Sequence, residues 1–218
     1  MRSWRGLWIL MLSSLCVTAS HADAAHGAAQ RAVQQDAIDL KLVETQAALR
    51  DLWLGHIFWV REVVAAKVAK NSRAVEIAEG RAVDNAKQIA GAIEPFYGKA
   101  AADQLFKLLA GHYAAIQAHA DATIAAQPDR AKQAASKLTA NATQLSKFLS
   151  NANPHLQRQA LESLLMAHGA HHLQQNAQLA DGDRANEART WDAMRTHIYS
   201  ISDALSLALA QQFPEKFR

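Results

Sequence analysis

Apolar residues recur every three or four positions through most of this chain, and the runs are long. Such spacing lays a hydrophobic stripe along one side of an α-helix. The Val/Ile/Thr/Tyr alternation that marks strands is missing, so the pattern predicts an all-α protein. Helix breakers interrupt it at NSR (71–73), EPFYG (94–98), AQPD (126–129), SNANP (150–154), DGD (181–183) and FPEKF (213–217), and Gly, Pro, Asn and Asp gather at such turns. Helices are therefore expected over about 34–70, 74–93, 99–126, 129–149, 156–180 and 184–212, with Asp129 and Asp183 as N-caps.

Within that pattern one skeleton occurs three times. LRDLWLGH (49–56), LFKLLAGH (105–112) and LESLLMAH (161–168) are each L-x-x-L-x-x-x-H, and each follows the last by 56 residues. A second set keeps the same offset: Asn85-Ala-Lys-Gln-Ile-Ala, Asn141-Ala-Thr-Gln-Leu-Ser and, with His in place of Asn, His197-Ile-Tyr-Ser-Ile-Ser. The reading is an antiparallel helical bundle built from three αα-hairpin repeats of about 56 residues. Positions −7, −4 and 0 share a helix face, so His56, His112 and His168 are expected to point inward behind their leucines. A buried imidazole needs partners for both nitrogens, and Asn85 and Asn141 on the second helices are placed to supply them.

The amino terminus changes the picture of where the chain works. MRSWR followed by GLWILMLSSLCV and TASHADA has the basic, apolar and small-residue regions of a signal peptide, with cleavage after Ala22 or Ala24. The expected mature domain is 25–218, exported and soluble in a bacterial periplasm. The apolar run is about a dozen residues, against about 20 needed to span a bilayer. Cys16 is the only cysteine and leaves with the signal. Thiolate catalysis, zinc ribbons, iron–sulfur clusters and covalent c-type haem leave with it. The formal charge of +3 falls to +2 if cleavage follows Ala24, and Lys and Arg are scattered rather than clustered, so no nucleic-acid surface is indicated.

Ten histidines remain the chemistry to explain. His56, His112 and His168 could converge on the bundle axis as a metal site, zinc or copper being the ions that imidazole suits. A second candidate cluster is His168, His171 and His172, with His197 from the following helix. Trp53 and Trp59 flank His56, and Arg61 follows it, so an apolar ligand pocket with His56 and Arg61 at its polar end is a further candidate, walled by Tyr97, Trp191 and Tyr199. Non-covalent haem, ligated by His with Met166 or Met194, has no positive support. A ferritin-like di-iron site needs Glu-x-x-His on two helices, and that motif is absent from the sequence. A zinc hydrolase would need a carboxylate near the metal, and Glu62 is the one closest to His56 in sequence.

Several segments together resemble a known family. Leu52, Trp53, His56, Trp59 and Arg61, then Phe96-Tyr97-Gly98, Asn153-Pro154 and Gln212 through Phe217, match the Leu-Trp-x-x-His-x-x-Trp-x-Arg, Phe-Tyr-Gly, Asn-Pro and Gln-Phe-Pro-x-Lys-Phe motifs of a family of small bacterial helical-bundle proteins of unestablished function. The resemblance covers about residues 48–217 and implies a helical bundle in which His56, His112 and His168 matter; it supplies no reaction. Some members carry a glycosyltransferase label, yet the nucleotide-sugar fold needs alternating strands and helices around a phosphate loop, and this sequence predicts neither. The expectation is thus a non-enzymatic bundle that binds or sequesters a small ligand or metal ion, with Trp53, His56, Trp59, Arg61, His112 and His168 around it. The rival reading is a structural or partner-binding bundle whose histidines are satisfied core residues.

Overall fold

The computed structural model describes the backbone from Thr18 to Phe217 and the side chains from Leu40 to Phe217. The basic and apolar segments of the predicted signal lie mostly outside the described residues. Six long helices pack together: α1 (Thr18–Val68), α2 (Ser72–Ala92), α4 (Lys99–Ile124), α5 (Pro128–Ala152), α6 (Arg158–Ala180) and α7 (Arg184–Gln212). A one-turn helix, α3 (Glu94–Tyr97), stands where the sequence predicted a turn, and a 3₁₀ turn (Pro214–Phe217) closes the chain. No strand occurs among the described residues, and no helix there is long and apolar enough to cross a membrane.

The helix ends follow local chemistry. Asn71 caps α2 by accepting from the Ala74 amide at 3.0 Å. Asp183 caps α7 as expected, accepting from Asn186 N at 3.1 Å. Asp129 does not cap α5. The cap position is Gln127, Pro128 occupies the first turn, and Asp129 falls inside that turn. Proline suits the first helical position because its missing N–H would be unpaired there anyway, and this moves the start back two residues.

Consecutive helices are tied by polar side chains reaching a backbone carbonyl 33 residues upstream. Asn85 Nδ2 donates to Leu52 O at 2.9 Å, Asn141 Nδ2 to Leu108 O at 2.9 Å, and His197 Nε2 to Leu164 O at 2.8 Å. The second lone pair of each carbonyl accepts this bond without breaking the helix. Close approach is needed: a Cβ on Gly55 would lie 2.9 Å from Asn85 Nδ2.

The expected inward stripe is corrected by one position. Leu49, Leu105 and Leu161 are buried, but the other buried column is Trp53, Leu109 and Leu165, at −3 from each histidine. Leu52, Leu108 and Leu164, at −4, are half-buried at the edge where the carbonyl ties form. Those two buried columns join Ile89, Leu145 and Ile201 in one large apolar cluster closed by Phe217. Farther along the bundle lie two smaller clusters, one around Val60, Ile116 and Leu138 and one around Val64, Ala120 and Leu179. The histidines sit between the large cluster and these two.

Burial along α1 sets a clear boundary. Ile57 has no exposed surface, whereas Leu40 is 62% exposed. Ile57→Ala is expected to lower unfolding free energy by about 2–5 kcal/mol. Leu40→Ala should stay within about 0.5 kcal/mol of the parent. Urea melts of the two variants check the difference, and equal losses would place the start of the core wrongly.

Candidate metal centre

Four helical turns bring four imidazoles to one place. His56 comes from α1, His112 from α4, and His168 and His172 from α6, with one ring nitrogen of each within 4.8 Å of the others. All four are buried, from 7% exposed at His56 to 1% at His172. His168 and His172 are i,i+4 on one helix, so their rings meet edge to face with centroids 4.6 Å apart. His168 Nε2 lies 3.1 Å from His172 Nε2 and 3.4 Å from His56 Nε2. The His112 and His168 rings stack at 5.6 Å.

Hydrogen bonds settle the protonation of one ring. Asn141 Nδ2 is committed to Leu108 O, so its Oδ1 faces His112 and accepts from Nδ1–H at 3.2 Å. The Nε2 of His112 therefore carries a lone pair, and it is buried without a partner. His168 meets the opposite difficulty. One Nε2 cannot hydrogen-bond well to two neighbouring nitrogens with a single proton or a single lone pair, and its Nδ1 is buried unpartnered as well. Each neutral ring carries one N–H and one lone pair, and with the His112 hydrogen spent on Asn141 three hydrogens remain for four lone pairs. A transition-metal ion is the species that satisfies several imidazole lone pairs at one point.

The spacing fits such an ion. Tetrahedral coordination with metal–nitrogen bonds of about 2.0–2.1 Å places ligand nitrogens roughly 3.3 Å apart. The contacts of 3.1 and 3.4 Å match this, and the 4.8 Å limit leaves the wider pairs to close inward on binding. The electrostatics fit too. Burial, aided by His112, pushes His56 down to about 3, and burial pushes His112 down to about 4 despite the Asn141 bond. Burial and the neighbouring rings hold His168 and His172 well below the usual histidine range. All four are thus neutral at pH 7, the form that binds metal.

The structure redistributes the other expected site residues. The second cluster divides: His168 and His172 join the centre, while His171 and His197 pair with each other, centroids 5.3 Å apart. Asn85 caps Leu52 and makes no bond to His56. Trp53 sets its edge against His56 at 5.9 Å and forms one wall of an apolar cavity of about 50 Å³ with Leu49, Ile93, Tyr97, Leu145 and Phe148. That cavity includes neither His56 nor Arg61. Arg61 instead holds Glu187 through Nε and Nη2 at 2.7 and 2.9 Å, and Glu62 through Nη1 at 2.8 Å. Trp191 lies over its guanidinium and Tyr199 under Arg50. Trp59 packs on Phe58 and Arg81. Met166 is exposed, and Met194 is sealed in the large apolar cluster.

Two features escaped the sequence reading of the centre. His172, named only in the second cluster with His168, is its fourth member, and Val60 and Ile116 hold the positions 112 and 56 residues upstream of it. A lone polar residue in an otherwise apolar column was the available signal. The other is the buried pair Arg61–Glu187, which Gln175 completes by donating to Glu187 Oε1 at 2.8 Å. Comparison with protein-family models, curated proteins and solved structures finds no match to this chain.

Neutral burial has a sign that can be measured in the metal-free protein. A histidine in the unfolded chain titrates near 6.5. Between there and the lowered folded values, the unfolded state holds more protons, so stability falls as pH falls. Each ring contributes up to about 1.4 kcal/mol per pH unit across that window. Urea midpoints with chelator present should be level above pH 7.5 and drop steeply from pH 6.5 toward 4. A midpoint unchanged from pH 7.5 to 5 would show that the rings are not buried neutral.

Proposed function

We propose that this chain is a metal-binding helical bundle in which His56, His112, His168 and His172 together hold one transition-metal ion, zinc or copper. The observation that carries the proposal is the convergence of four buried imidazole nitrogens with His112 Nε2 already presented as a lone pair. Two further points support it. No carboxylate joins the ligand group, which suits zinc and copper better than magnesium or calcium. Four imidazoles also fill a tetrahedral shell, the arrangement of a site that retains its ion, whereas hydrolytic zinc keeps a position open for water. Binding, carriage or sequestration is therefore the role proposed, not hydrolysis.

The same reading takes the bundle as three αα-hairpin repeats of about 56 residues. His56, His112 and His168 then come from equivalent first helices, the Asn85, Asn141 and His197 ties from equivalent second helices, and His172 from a position unique to the third repeat. It also takes the amino terminus as an export signal and the working compartment as the periplasm. Cleavage after Ala22 or Ala24 would leave the centre's four histidines in the chain, and the first buried residue among the described side chains of α1 is Leu49. The resemblance carried by Leu52, Trp53, His56, Trp59 and Arg61 extends the proposal to that family only for His56, His112 and His168.

Titration of the mature protein, purified without a His-tag, with zinc and with copper tests this. One equivalent is expected to bind. His112→Ala should weaken binding by at least about a hundredfold, and Asn141→Ala, which frees the ring to turn, by about 10–100-fold. His171→Ala should leave it unchanged, since that ring belongs to the separate pair with His197. Absence of stoichiometric binding, or equal losses in all three variants, would return the four histidines to a structural role.

A further inference from the structure

The centre has no counter-charge of its own. The charges acting on its four rings come from each other and from His171 and His197, not from any carboxylate. The buried acid nearest in sequence to α6's histidines by contact, Glu187 on Gln175, is already neutralised two-pronged by Arg61. A divalent ion on four neutral imidazoles would keep its full charge inside an apolar core, and a buried charge is costly unless an opposite one is brought close.

A cavity beside the centre can supply that charge. It occupies about 70 Å³ between α2 and α4, bounded by His56, Ala82, Ala86, Ile89, Phe106 and Tyr113 among others. One ordered water needs about 10–15 Å³ by this measure, so a species of three or four atoms fits. Ala82 and Ala86 leave the room. Of the residues around it, His56 and Tyr113 alone carry side-chain hydrogen-bonding groups, and the Tyr113 hydroxyl is buried with no partner. A buried unpaired hydroxyl costs about 1–3 kcal/mol, and a ligand that accepts its proton recovers this.

Resting on the metal reading above, we propose that this cavity is a subsite for a small monovalent inorganic anion, accepted by the Tyr113 hydroxyl and set against the His56 side of the bound ion. Anion and metal then bind as a pair, each tightening the other by the same factor. Alanine walls and a single donor select for size over shape, which suits azide, nitrite or hydrosulfide and leaves no room for a carboxylate with a chain attached.

The experiment measures cobalt(II) affinity of the whole mature protein by competition with a chromophoric chelator, at fixed ionic strength in chloride-free buffer, with sodium perchlorate or with sodium azide. Azide is expected to tighten cobalt binding by roughly 5- to 150-fold, the usual range of coupling between two sites. Tyr113→Phe, which removes one oxygen, should lose most of that ratio, and Ala86→Leu, which fills the cavity, should lose all of it. Cobalt bound equally in both salts would overturn the anion subsite while leaving the metal site standing. No cobalt bound in either salt would overturn both. A ratio that persists in both variants would place the anion elsewhere and overturn the assignment to this cavity.

Discussion

Every lone pair sealed in an apolar core must be met by a proton or a cation, and in this bundle four imidazoles, with one hydrogen given to Asn141, have three left for four lone pairs. His168 Nε2 stands between two other ring nitrogens at 3.1 and 3.4 Å. His112 Nε2 points inward with nothing to accept. Four apolar side chains would have filled the same place without this difficulty, since buried polar groups left unpaired lower stability where matched apolar ones do not. The layer stands between the large apolar cluster closed by Phe217 and the two smaller clusters farther along the bundle. A cost of that kind at the centre of a bundle is what a functional site looks like in energetic terms.

Holding the rings in place falls to the second helices. An amide that donates to Leu108 O has only its oxygen left for His112, and so the backbone of α4, through Asn141, decides which nitrogen of its own histidine is free. The equivalent tie at Leu164 is made by His197, which commits its Nε2 to the backbone bond. At Leu52 the tie is made by Asn85, whose oxygen stays buried and unpaired. Three contacts that are alike in what they join thus differ in what they leave over, and the differences set which histidine is oriented, which is spent and which faces a cavity.

The fold class and five of the six helix spans were legible because they rest on local signals: periodicity, breakers and caps. So was the inward face of His56, His112 and His168, because identical spacing puts each ring behind the same leucines, whereas whether the three rings meet depends on how the helices pack and is not written in spacing. What sequence could not weigh was the competition at each helix end and face. Pro128 takes the first turn ahead of Asp129. The −3 column wins burial over the −4 leucines because the latter's carbonyls face the partner helix. His172 was grouped with His171 in the second candidate cluster because adjacent residues look alike in a string, although 100° of helix separates them and only His172 joins His168 at the centre. Arg61 was placed at a pocket's polar end, and its true partner, Glu187, lies 126 residues away, a distance over which spacing carries no information.

On the reading proposed above, three hairpin repeats holding one metal ion, the position of His172 also decides how the centre relates to the threefold pattern around it. Three equivalent histidines alone would present a trigonal set, open at both faces along the bundle. On one side that opening is closed by the large apolar cluster beneath Trp53 and Ile57. On the other, Val60 and Ile116 close it from α1 and α4, and the third position of their layer is a fourth imidazole rather than a third aliphatic chain. The substitution converts an open three-nitrogen face into a closed four-nitrogen shell and costs the upper core one apolar side chain. Coordination that is complete without water favours keeping an ion over using it, and the departure from internal symmetry at one residue is what draws that line.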